Sequence, residues 1–170
     1  MKPTILLLAS LMLVAIAFNL IVFPYFALKT SGHQLLDTQF FYKPESAAYL
    51  LFVLGHEGRK WYLWMAGLVD MVYPVVYGSV LVILTRWLSA NRLLSYFALA
   101  APVADVAENL ATIAMLIRYP KFDKSIALLG SFFNGIKWIS VAVIILILVV
   151  LATRKLFFSS KNHNTDRFNE

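Results

Sequence analysis

The chain has 170 residues, is 61% hydrophobic, and carries mean hydropathy +0.75 and a formal net charge of +6. A soluble domain is nearer half apolar, so the excess points to lipid as the solvent, and the charge to basic loops beside anionic headgroups rather than to nucleic acid. There is no cysteine, and the three histidines (His33, His56, His163) lie outside the apolar runs, which excludes disulfides, thiol redox chemistry, thiolate metal sites and haem held by paired transmembrane histidines.

Four long apolar runs, over about 5–28, 61–87, 93–117 and 125–151, predict an all-α polytopic membrane protein. The expected fold is an antiparallel bundle of four transmembrane helices in a single domain, 1–158. The first run follows Lys2, and its length, with no A-x-A pattern after it, marks an uncleaved helix rather than a signal peptide. Residues 29–60 form the longest connection. Within it "PESAAYLLFVL" (44–54) reads as a helix opened by Pro44 and too short to span, expected to lie at the interface or over the bundle mouth. "GHEG" (55–58) is expected to break the chain before Arg59 and Lys60 mark the lipid boundary. Trp61, Tyr62 and Trp64 at one end of the second run and Trp87 at the other form an aromatic belt. "TRWLSANR" (85–92) contains a tight turn, "RYPKFDK" (118–124) stops the third run at Pro120, and the tail 159–170 is polar and expected to be disordered.

Of the fifteen lysines and arginines, Lys137 lies inside the fourth run, and the other fourteen divide equally between the two sides. The positive-inside rule is therefore tied. The wider spread of the long-loop charges favours cytoplasmic termini. A chain this short, without cysteine or glycosylation sequon, is expected in a bacterial inner membrane.

The polar residues within the runs fall at one depth. Counted at the rise of an α-helix from the side holding the long loop, Asn19, Asp70, Glu108, Asn109 and Asn134 lie about 14–15 Å deep, and Tyr73, Asp105 and Lys137 about 18–20 Å deep. Asp105, Glu108, Asn109 and Thr112 share one helical face, as do Asp70, Tyr73 and Tyr77, and Ser131, Asn134 and Lys137 step by three along the fourth run. Isolated charges in hydrocarbon cost several kcal/mol, so these faces are expected to turn inward and meet. Pro74 cannot bond the carbonyl of Asp70, nor Pro102 that of Ala98, which frees two backbone oxygens near the acids. Asp70, Asp105 and Glu108 outnumber Lys137, so protons, a cation or water must balance the layer.

The plainer reading of this layer is a hydrogen-bonded network that fixes helix register, with Lys137 paired to one acid. Three acids exceed what register requires. The expected function is a buried site for a proton, cation or amphipathic small molecule, lined by Asn19, Asp70, Tyr73, Tyr77, Asp105, Glu108, Asn109, Asn134 and Lys137. Alternatives are a membrane enzyme acting on a lipid or isoprenoid, with Asp70, Asp105 and Glu108 as catalytic candidates, and an accessory subunit. No cofactor is implied. The bilayer, a lipid or small-molecule ligand and a second copy of the chain are the expected partners. His33, Asp37, His56 and Glu57 fit no metal-ligand spacing and read as solvated loop residues, so no metal site is assigned. Gly67 and Gly78, and Gly130 and Gly135 with Ser131, are expected to let helices approach closely.

The segments DMVYPVVY (70–77) and ADVAEN (104–109) resemble those of small four-helix integral membrane proteins of bacteria. The resemblance covers most of the chain and implies the same fold. It brings no assigned activity, substrate or cofactor.

Overall fold

The computed structural model describes residues 3–89 and 91–166. Lys2 and Arg167, both used in the charge count, lie outside the described residues. Among those residues every regular element is helical. Four helices are long and apolar enough to cross a membrane: Thr4–Lys29, Gly55–Leu88, Arg92–Arg118 and Lys124–Lys155. Short connections, residues 89–91 and 119–123, force the second, third and fourth to run antiparallel to their neighbours. The third and fourth helices pack most extensively, the second lies against the third, and the first packs chiefly on the second. The apolar stretch of the first helix buries no residue. Its Leu13, Leu20, Ile21 and Leu28 are open to the surroundings.

The prolines shape the spans. A wide π-turn covers Phe18–Val22 just before Pro24, and another covers Met65–Val69. The second ends at Asp70, the residue whose carbonyl Pro74 cannot bond. The third helix is interrupted at Ala98–Leu99, between Arg92–Phe97 and Ala100–Arg118, where Pro102 leaves the Ala98 carbonyl free. Asn19 and Asp70 thus stand on or just beyond irregular turns, while Asp105 lies within the regular helix that follows the interruption.

The second helix begins at Gly55, not at Trp61, so "GHEG" is no break beyond its first residue. Gly55 has φ +62°, a left-handed conformation open to glycine, and the chain turns there from the short helix Pro44–Val53 straight into the next. Arg59 donates to the Leu51 carbonyl at 2.8 Å, supplying a partner at the C-terminal end of the short helix. The last helix continues to Asp166, where a disordered tail was expected from 159. Extending a formed helix costs far less than nucleating one, so a polar sequence without glycine or proline propagates it.

The largest departure from the sequence reading is the loop after Lys29. Instead of running over the surface, it descends into the bundle. Leu35, Leu36 and Tyr42 join Ala47, Leu50 and Leu51 of the short helix, and Tyr62, Met65, Met115, Leu116 and Ala127 of the spans, in one apolar core. Gly130 and Gly135 receive this loop. A Cβ on Gly130 would meet the Tyr42 hydroxyl and Ala111, and one on Gly135 would meet the Phe41 ring. Close helix approach is borne out at Gly78, where an added Cβ would lie only 2.9 Å from Pro102 and could not be held without a shift, whereas Gly67 faces open space. Lys124 pairs with Glu45 at 3.7 Å on the outside of the short helix.

Gly135→Val is expected to eject Phe41, with an overpacking cost of about 1–3 kcal/mol. In limited proteolysis of the detergent-solubilised protein, chymotrypsin should then cut after Phe41 faster than in the parent. Gly67→Ala should leave both the melting temperature and that cleavage rate unchanged.

Candidate functional site

Each span brings its polar face to one place, and the loop brings another. On the third helix Asp105, Glu108, Asn109 and Thr112 are all buried, Glu108 completely. Lys137 of the fourth helix sits between the first two, its Nζ 3.4 Å from Asp105 Oδ1 and 3.5 Å from Glu108 Oε2. Glu108 accepts from the Thr112 hydroxyl at 3.0 Å, and Asp105 from the Tyr77 hydroxyl at 3.1 Å. Such buried ion pairs need donors for the remaining lone pairs; Asp105 and Glu108 Oε1 have them, while Glu108 Oε2 has the Lys137 ammonium alone.

Asn109 performs the task set by Pro74. Its Nδ2 donates at 2.7 Å to the Asp70 carbonyl that the proline leaves unbonded, and at 3.4 Å to Asp105 Oδ1. The second and third helices are therefore joined through a backbone oxygen rather than through the Asp70 carboxyl. The Asp70 side chain is 6% exposed, and its Oδ2 is buried without a hydrogen-bond partner. Asn19 reaches the layer through Tyr73, donating to its hydroxyl at 2.8 Å, and the ring of Tyr73 stacks on Phe18.

Ser131 and Asn134 behave differently from their expected role. They do not meet the acids. Ser131 Oγ accepts from the Tyr42 backbone N–H at 3.0 Å, and Asn134 Nδ2 donates to the carbonyls of Leu36 (3.0 Å) and Gln39. Lys137 Nζ (3.2 Å) and Trp138 Nε1 (3.3 Å) both donate to the Asp37 carbonyl. Tyr62 accepts from the Leu36 N–H at 3.1 Å. An irregular segment at this depth carries backbone groups that lipid cannot satisfy, and the polar face of the fourth helix satisfies them.

Asp37 is the candidate-site residue that the sequence pattern does not reveal. Its spacing fits a solvated loop residue, yet its Oδ1 is buried without a partner and it lines the same cavity as Asp70. Burial pushes its carboxyl above the ordinary carboxylate range, the Lys137 ammonium opposes the rise, and Asp105 adds to it. With Asp37 the layer holds four carboxyls against one ammonium. The other loop candidates lie elsewhere. His56 and Glu57 are exposed, and His33 is exposed at the cavity rim. Among the described residues no three histidine or acidic side chains gather in a way that could hold a metal ion.

The layer borders a cavity of about 780 Å³, open on one side and enclosed by the first, second and fourth helices and the inserted loop. Asn19, Asp37, Asp70, Tyr73, Tyr77, Asp105 and Lys137 form its polar part. Val80, Leu81, Val141 and Ile145, further from the loop end, form an apolar arm. Glu108, Asn109 and Asn134 stand behind this lining and brace it. Comparison of the chain with protein-family models, with curated proteins and with solved structures finds no match.

Asn109→Leu is expected to leave the Asp70 carbonyl buried and unbonded, lowering stability by about 1–3 kcal/mol in thermal unfolding in mild detergent. Asp37→Asn keeps the backbone contacts to Lys137 and Trp138 and removes a titrating group. The folded protein holds the Asp37 proton more tightly than the unfolded chain, so this group costs stability as pH rises from the usual value near 3.8 to its raised folded value, and the cost is constant above that. Melting temperatures of variant minus parent should therefore climb with pH across that window and then level off.

Proposed function

We propose that this is an integral membrane protein that lodges an amphipathic small molecule, polar head in the mid-bilayer acidic layer and apolar tail along the arm lined by Val80, Leu81, Val141 and Ile145. The observation that carries this reading is the cavity itself. Its size is that of a small-molecule site, and its lining is apolar with a few convergent polar groups. A network serving only helix register has no use for such a space, nor for buried carboxyl oxygens left without partners. The rim formed by Gly32, His33 and Gln34 makes the loop side the expected route in. The exposed apolar faces of the first and fourth helices are read as lipid-facing or as the contact between two copies. The short helix Pro44–Val53 is read as lying at the interface, the termini as cytoplasmic, and the membrane as a bacterial inner membrane.

A second reading, catalysis on a lipid or isoprenoid, draws on one contrast. Asp105 is bonded to Tyr77 and Lys137, while Asp70 Oδ2 has no partner. Carboxyls in unequal surroundings divide into acid and base, the ion-paired Asp105 suiting the base and the unpartnered Asp70 the acid. A lipid profile unchanged by loss of the gene would count against it.

Native mass spectrometry of gently purified protein should show a retained species of small-molecule mass. Val141→Trp, which fills the apolar arm, should lose that species while remaining folded. A parent protein that retains nothing, or a variant that retains the species equally well, contradicts the proposal and favours a purely structural layer.

A further inference from the structure

We infer that the head of the ligand is an organic cation, an ammonium on a hydrocarbon tail, held between Asp37 and Asp70. The inference rests on the reading of the cavity as an amphiphile site and specifies its charge. Lys137 is already committed to Asp105, Glu108 and the Asp37 carbonyl, and Asp105 also accepts from Tyr77. What remains is one buried carboxyl oxygen on Asp70 and one on Asp37, both without a hydrogen-bond partner; a third such oxygen, Glu108 Oε2, is the one ion-paired to Lys137 and does not line the cavity. Asp70 is more than nine-tenths buried, and both residues line the cavity. The two come from different parts of the fold, a span and the inserted loop, and converge on the same space.

The chemistry of the missing partner follows from this pair. It must donate at least two hydrogen bonds, which an ammonium supplies and a single hydroxyl does not. It must not add negative charge, because four carboxyls already face one lysine. Among the described residues Lys137 is the only lysine or arginine lining the cavity. Aromatic faces suit a cation as well. Tyr73 and Trp138 border the same space, and ring faces attract ammonium groups most strongly where water is excluded. The apolar arm beyond them sets the tail as hydrocarbon. Since four dry carboxyls cannot all be ionised, an arriving ammonium takes the place of a proton, and the charge of the site is conserved.

The test uses three amphiphiles that share one tail: dodecylammonium, dodecanol and dodecanoate. The full chain is reconstituted in phosphatidylcholine nanodiscs doped with equal mole fractions, and retained adducts are measured by native mass spectrometry. Dodecylammonium should be retained about tenfold over dodecanol, the worth of a charge-assisted hydrogen bond, with dodecanoate weakest. Asp70→Asn should bring the ammonium down to the level of the alcohol while leaving the alcohol unchanged. Asp37→Asn, outside the spans and tolerant of folding, should act in the same direction. Equal retention of ammonium and alcohol by the parent overturns the cation and leaves the amphiphile site standing. Retention of none of the three overturns both. A preference for ammonium that survives in both variants overturns the assignment to this pair.

Discussion

The ammonium of Lys137 is the one group on which the interior depends. It lies at 3.4 and 3.5 Å from two acids of the third helix and donates to a loop carbonyl, so a single side chain joins the fourth helix, the third helix and the inserted segment. Without it, two carboxylates would face each other in a dry bundle, which costs several kcal/mol. With it, Asp105 and Glu108 become tolerable, and Asp105 in turn orients Tyr77 of the second helix. The first helix stands outside this chain of contacts except through Asn19 and Tyr73. The cavity lies between it and the second and fourth helices.

The protein has two interiors with opposite chemistry. At the loop end, Leu36, Leu51, Tyr62 and Met115 form an apolar core like that of a soluble domain. Toward the middle of the bundle the packed groups are charged or amide side chains. The outer faces of the four long helices are apolar and exposed and the polar groups take the inside, the arrangement that lipid as solvent would favour. The loop-end core supplies the anchoring that the spans lack and carries Asp37 into position.

Much of this was legible in the residues. Counting depth along alternating helices brought Asp70, Asp105, Glu108, Asn109 and Lys137 to one layer, because helical rise is fixed and a charge in hydrocarbon must turn inward. The proline at 74 announced a free carbonyl on Asp70, and Asn109 is the donor that meets it. The loop was not legible, because irregular backbone has no period to read and Asp37 shared no face with the other acids. Its signal was composition. Leu35, Leu36, Phe40, Phe41 and Tyr42 are too apolar for a solvated connection, and Gly130, Ser131 and Gly135 opposite them leave room for it. The size of those small residues marks them as places where helix meets helix, which holds at Gly130 beside Ala111; Gly130 also receives Tyr42, Gly135 receives Phe41, and Ser131 accepts a loop N–H.

The central claim is that Lys137 holds the loop inside the bundle, and the absence of cysteine allows a clean measurement of it. Leu36 has no exposed surface and His33 is exposed. In proteoliposomes, Leu36→Cys should resist a membrane-impermeant maleimide while His33→Cys reacts readily. Adding Lys137→Met to Leu36→Cys should raise its labelling toward the rate at position 33. Equal labelling at 33 and 36 with Lys137 intact, or protection at 36 that persists without Lys137, would contradict the account.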